Sequence, residues 1–439
     1  MSISHWNLDQ LKTQLSQSSQ VKSWIVTQEH VHRRERYFML ENGGTLVTDQ
    51  DRDVRAQNIQ VKIAVKLEKP GRQGEISKKL FPSLPLHEQL ESAIEAARQT
   101  DHQEWTLPSE PARDLPSLRT SDPRMAEDLN RVMDQVTEQI AGAVSKKRPS
   151  TFNSAELFLS VHDRELHLSN GLVQRYAQSR IYTETAYSFS KKNSKGEMES
   201  DEYLNTRWAV NLDDLKIAEL YDETAERAEH SLGVHKPETG KYPVIVDAEV
   251  LATLFNGHIT QLTAVNSYNS LPFVKPGQEL IPGCTGDPIT LSLDPGTEYG
   301  ADTSAVSEQG VAQKRLKLVD RNKVLATSSD KQYADYLAAE PTTARGNVVV
   351  DAGTLSHDEL ARSAPKVIEI LQFSGLFADP NSGTFSSEIR LARLFDNVRG
   401  TVTYLKEIVK HSHFSSNSFI GQGYVGPRFA LLSDVSIVG

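Results

Sequence analysis

Cysteine is nearly missing: Cys284 is the single thiol in 439 residues, so no intramolecular disulfide can form. No stretch of about 18 apolar residues occurs, and no charged-then-apolar leader opens the chain. These features predict neither a membrane helix nor a secretory signal, and point to the cytosol. Positive charge is not in excess either, since 48 Lys plus Arg face 58 Asp plus Glu for a formal charge of −10. Such a surface repels phosphate backbones, so nucleic acid is not the expected partner. What is present is an ordinary globular mixture, 38% hydrophobic and 24% charged, with a length suited to two or three domains of roughly 150 residues.

Periodicity divides the chain. Leu8, Leu11 and Leu15 make a helical stripe, while residues 23–28, 33–40 and 58–67 alternate as half-buried strands, with Asn42-Gly43-Gly44 as a hairpin turn. Residues 87–98 read as a helix, and the prolines at 108, 111 and 116 mark an extended connector over residues 100–120. Asp122 and Pro123 predict the start of one long helix that carries Met125, Leu129, Val132, Met133, Val136, Ile140 and Val144 and ends near Lys146-Lys147-Arg148. Residues 154–210 alternate again, with turns expected at 162–164 and 169–171 and a polar tip at 191–196. A helix over 213–232 ends at Gly233, and the loop 236–243 is the expected domain boundary. The second half offers strands at 242–248, 348–353, 366–371, 401–409 and 433–439. The expected architecture is α+β: residues 1–233 form a mixed sheet with helices, and residues 234–439 form a strand-rich, largely antiparallel, barrel-like domain.

Most motif-like fragments have plain explanations. Gly421-Gln422-Gly423-Tyr424-Val425-Gly426 has dinucleotide-loop spacing, but Pro427 and a strand follow instead of a helix. His87-Glu88 lacks a second His one turn later and reads as a helix start. Cys284 has no neighbouring base. Arg33-Arg34-Arg36 and Lys146-Lys147-Arg148 read as solvated clusters without interleaved aromatics. His411 and His413 would project from one face of a strand and could share a metal if a third ligand arrived.

Several segments occur in a specific order: LSNG (168–171), GKYPVIVDAEVLATLF (240–255), SEQGV (307–311), LVDRNKVL (318–325), TARGN (343–347), DAGTLSHDEL (351–360), SGTFSSEIR (382–390) and DVSIVG (434–439). Across nearly the whole chain this order resembles the TldD/PmbA family, a peptide-processing metalloprotease system once named a modulator of DNA gyrase. In the TldD branch a helix carries HExxxH, with the Glu as general base, and a cysteine near the C-terminus completes the zinc site. Here the equivalent stretch is 254–258, with Leu254 at the first ligand position, Phe255 at the general base and His258 as the surviving imidazole. His411 and His413 stand near the end, without a thiol. The pattern is similar to the TldE or PmbA branch, whose members lack the metal motif and pair with a TldD subunit.

The resemblance therefore implies a non-catalytic subunit that holds no cofactor itself. A TldD-type zinc metalloprotease partner would carry the zinc, and this chain would complete the chamber and help hold extended, unfolded peptide by strand-like pairing, with residues 382–391 as contributors. Two rivals stand beside it. One is a zinc peptidase with a relocated site at His258, His411 and His413, which requires the three imidazoles to reach a common point within about 2 Å. The other is a self-associating, homodimeric peptide-binding protein with no protease partner.

Overall fold

Local chemistry sets where the elements begin. Reciprocal bonds between Asn7 and Gln10 cap α1 (Leu8–Gln17). The alternation expected to give two strands over 23–40 forms one, β1 (Val21–Glu41), which turns at Gly44 into β2 (Thr45–Lys66). The computed structural model describes residues 6–41, 44–272, 274–284, 286–379, 384–398, 401–405, 408–411 and 423–439. Next come β3 (Arg72–Leu80), α2 (Leu86–Arg98) and β4 (His102–Gln103). Gly74 lets α2 lie directly on β3, because a Cβ there would meet the Ala97 carbonyl oxygen at 2.0 Å.

The long helix expected after Asp122 is two helices, α3 (Pro123–Glu127) and α4 (Leu129–Val144). Asp128 leaves helical geometry at φ −156°, and its carboxylate accepts from the Arg131 N–H, making a new N-cap inside the periodic run. Three long strands follow, β5 (Thr151–Leu168), β6 (Val173–Lys192) and β7 (Met198–Ala209). No turn forms at 162–164: His162 is paired to Val31 on one side and to Gln178 on the other, so β5 runs straight through. The turn at 169–171 does form, with Gly171 at φ +92°.

Among the described residues these strands make a seven-stranded sheet in the order β4-β3-β2-β1-β5-β6-β7. Every ladder in it is antiparallel, where a mixed sheet was expected, because short turns join most neighbours. Its inner face packs Leu157, Leu159, Ile181 and Tyr187 against Val132, Met133 and Ile140 of α4 and Leu220 and Tyr221 of α5 (Ile217–Glu229). A separate cluster joins Leu11, Leu15, Val26, Val61, Ile63, Leu90 and Ala93 beneath α1 and α2.

The C-terminal part contains β8 (Gly240–Asp247), α6 (Ala248–Gln261), α7 (Ala264–Tyr268), β9 (Leu291–Asp294), β10 (Leu316–Asp320), β11 (Lys323–Val324), α8 (Lys331–Tyr336), β12 (Asn347–Val350) and α9 (His357–Ala361). It continues with β13 (Lys366–Asp379), β14 (Thr384–Asp396), β15 (Thr401–Leu405), β16 (Ile408–His411), β17 (Tyr424–Val425) and β18 (Phe429–Val438). The single strand expected over 401–409 is thus two, with residues 406–407 outside the described set. Two sheets result among the described residues, ordered β11-β10-β9-β12-β17 and β13-β8-β18-β16-β14-β15, and β13 also pairs with β14. Apart from the parallel β12–β17 and β13–β8 ladders they are antiparallel. The second sheet curls back on itself, barrel-like in its wrap, where β14 meets β13. No helix among the described residues is long and apolar enough to cross a membrane.

Candidate functional site

Helix α6 lies between the two C-terminal sheets and carries the residues singled out by the sequence. Asp247 caps it, accepting from the Glu249 and Val250 N–H groups. Burial pushes the Asp247 carboxyl above its ordinary value, against the pull of those N–H groups and of Arg227. Leu251 and Leu254 pack with Val244, Ile368, Phe385 and Ile389 under one sheet, while Ile259 and Leu262 pack with Leu291, Leu318 and Val348 under the other. Phe255 touches both clusters, and His258 is buried at 7% exposure.

These residues do not fit a zinc site of the HExxxH kind, in either register. Counted from Leu254, the first ligand and base positions hold Leu254 and Phe255. A six-residue motif ending on His258 begins instead at Thr253, which puts Thr253 at the first ligand and Leu254 at the base. The Thr253 hydroxyl already donates to the Glu249 carbonyl at 2.9 Å. Neither register supplies an imidazole followed by a carboxylate. Among the described residues no group of three His, Cys, Asp or Glu could hold a metal ion. His411 ends β16, but its side chain lies outside the described set, as does His413 entirely.

A junction of polar groups fastens the N-terminal sheet to this helix and its neighbours. Arg227 Nη1 donates to Tyr203 Oη at 2.9 Å, and Tyr203 Oη donates to the Leu371 carbonyl at 3.0 Å. Gln372 Nε2 donates to the Leu204 carbonyl at 2.8 Å. Close by, the Glu369 carboxylate accepts from His357 Nε2 at 3.0 Å and from Arg393.

A separate open space lies between the outer face of the seven-stranded sheet and the loops around 301–313 and 344–345. It is a cavity of about 580 Å³ whose sheet side presents Lys62, Arg164, Tyr176, Gln178 and Arg180. Strand alternation puts these residues on the face opposite the α4–α5 core. Glu29 anchors this side, accepting from His162 Nδ1 at 3.2 Å and lying 3.3 Å from Arg164 Nε. That hydrogen bond from His162, with Arg164 beside it, lowers the Glu29 pKa to about 2. On the loop side, Gln178 Nε2 donates to the Ala301 carbonyl at 2.8 Å.

Beyond the cavity the same face carries an aromatic row. Tyr37, Phe158, Tyr182 and Trp208 run across four strands, with successive ring centroids 5.5, 5.4 and 4.5 Å apart. Phe158 and Tyr182 are direct cross-strand partners, as are Tyr182 and Trp208. One step further, Glu156 and Glu184 face each other across β5 and β6. Burial raises the Glu156 pKa, and Glu184 and Glu35 add to the shift by charge repulsion.

Other expectations change in the structure. The basic clusters are clamps, not merely solvated: Arg34 and Arg36 both hold Asp51, and Lys146 and Arg148 both hold Asp222. His87 and Glu88 sit exposed at the start of α2, and Cys284 is an exposed free thiol. Gly421 and Gln422 lie outside the described residues, while Tyr424 and Val425 form β17 beside β12. Ser382 and Gly383 are also outside them, and β14 is flanked by β13 on one side and by β15 and β16 on the other, leaving little edge for a peptide strand. Sequence reasoning missed Tyr176, Gln178, Arg180 and Asp302; the available signal for the first three was their shared parity on one alternating strand, β6, whereas Asp302 lies on a loop.

The profile of the PmbA/TldA metallopeptidase C-terminal domain matches residues 239–409. No curated protein matches the chain in sequence. Among solved structures, a candidate modulator of DNA gyrase from Bacteroides thetaiotaomicron superposes with a TM-score of 0.75 at 16% identity, covering 98% of both chains. Another candidate modulator of DNA gyrase, from Thermotoga maritima, gives 0.75 at 17% identity over 98% of this chain and 99% of that one. TldE from Thermococcus kodakarensis gives 0.73 at 13% identity over 99% of each. These likenesses extend the shared fold over the full length, and the profile identifies residues 239–409 as a domain of the PmbA/TldA metallopeptidase C-terminal kind.

Proposed function

We propose that this chain is the non-catalytic subunit of a TldD/TldE-like metallopeptidase that processes unfolded peptides. The observation that carries the reading is the make-up of α6: leucine and either threonine or phenylalanine stand where a zinc ligand and a general base are required, and Leu254 is packed into the apolar core. Leucine cannot ligate zinc, and neither leucine nor phenylalanine can accept a proton from water. The zinc then belongs to a TldD-type partner, and this subunit closes the chamber and holds substrate. The outer face of the seven-stranded sheet supports the holding role, since it joins a roomy cavity of mixed polar and apolar lining to a row of aromatic side chains in edge and tilted contact.

Coexpression with a TldD-type subunit, size exclusion and digestion of an unfolded protein test the reading. The expected outcome is a stable heteromer that gains proteolytic activity over either chain alone. No complex and no gain would reject it in favour of a self-associating peptide-binding protein.

A further inference from the structure

We infer that the cavity between the outer sheet face and the C-terminal loops receives the carboxyl terminus of the bound peptide, with the Arg180 guanidinium pairing with that carboxylate. The inference rests on the peptide-holding role proposed above and names the end of the peptide that this chain grips.

The charges around the cavity are largely settled among themselves. Lys62 lies 2.9 Å from Glu75, and Arg164 lies 3.3 Å from Glu29. Glu165 has Arg175 and His167, each at 2.9 Å. Asp330 caps α8 by accepting from the Tyr333 N–H, and Arg345 lies 3.8 Å from Asp302. Glu308 is exposed to water at the rim. That leaves Arg180, which among the described residues has no carboxylate within 4 Å, meets the Asp302 charge only from beyond that distance, and whose Nη2 donates only to Gln178 Oε1, at 3.2 Å. Gln178 is itself only 4% exposed and is fixed at its other end to the Ala301 carbonyl. The guanidinium is therefore oriented by a buried brace, while most of its donors are left for a ligand.

The rest of the face gives the peptide a direction. Arg180 and Glu184 are four residues apart on β6, about 14 Å at the rise of a strand. There the sign of the face reverses, because Glu156 and Glu184 oppose each other with no cation within 4 Å among the described residues. An extended segment of about four residues spans that distance. Laid along the face with its carboxylate at Arg180, it crosses the aromatic row and points its amino end toward the two acids; the reverse orientation meets like charge at both ends.

The test uses the full chain and an N-terminally labelled, unfolded-type peptide in two forms, free acid and C-terminal amide, with binding read by fluorescence anisotropy. The free acid is expected to bind at least tenfold more tightly than the amide. Arg180→Gln should erase that preference while leaving amide binding and the melting temperature unchanged, and Arg180→Lys should restore part of it. Equal binding of the two forms, or a preference that survives Arg180→Gln, overturns the pocket while leaving peptide holding intact. No binding of either form overturns both. Displacement by inorganic phosphate without any free-acid preference assigns the pocket to a free anion and likewise overturns the peptide assignment.

Discussion

The two faces of the seven-stranded sheet are built by the same strands, yet they are put to different ends. On the inner face Leu157, Leu159, Ile181 and Tyr187 are almost wholly buried beneath α4 and α5. On the outer face the alternate residues, from Arg164 and Arg180 through Tyr182 to Glu184, carry ion pairs, tilted aromatic contacts and a cavity. A strand offers every second side chain to each face, so one face can be spent on stability while the other is free to bear charge and binding groups. Charges left opposed on such a face are a cost to folding, which makes Glu156 and Glu184 informative.

If this division is correct, substitutions on the inner face should dominate stability. Leu157→Ala is expected to cost about 3 kcal/mol in urea denaturation, by lost burial plus the cavity left behind. A cost near zero would break the comparison at its root. Next in size is the junction between the sheets: Tyr203→Phe removes a hydroxyl that accepts from Arg227 and donates to the Leu371 carbonyl, and should cost about 1–2 kcal/mol by the same assay. An unchanged midpoint would mean that the two parts do not rely on that contact.

The outer face should show itself through pH. The Glu29 pKa is lowered to about 2 from 4.5, so its contribution is fully present above about pH 4.5 and is lost as pH falls through about 2. Glu29→Gln should therefore lower stability at neutral pH and flatten the acid limb of the stability curve, while leaving the two variants alike near pH 2. Parallel curves at all pH values would contradict the assigned pairing. The smallest effect has the opposite sign. Glu156→Gln relieves repulsion from Glu184 and should stabilise by about 0.2–0.5 kcal/mol at pH 7 in urea titration, and a destabilised variant would show that Glu156 has a stabilising partner.

Much of the fold is legible in the sequence because periodicity and caps are local. The stripe through Met133 and Ile140, the turn at Gly171 and the strand 366–371 all appear as expected. Most of what was missed depends on contacts distant in the chain. His162 resembles a turn residue until its partners on β1 and β6 are known; Asp128 is the local exception, a cap of the Arg131 N–H that sits inside a run of unbroken helical period. Arg34 and Arg36 read as solvated because Asp51 and Asp134 become their neighbours only through folding. The candidate site divides in the same way. The apolar make-up of α6 could be read from a short motif, whereas Arg180 and Asp302 are 122 residues apart and share a cavity only through tertiary packing.

The central claim, that α6 has lost the groups hydrolysis requires, is tested most directly by purifying the chain alone and measuring zinc content and cleavage of an unfolded protein on the same sample. The account predicts zinc well below one per chain and no cleavage above background. Stoichiometric zinc together with cleavage that a chelator abolishes would contradict it.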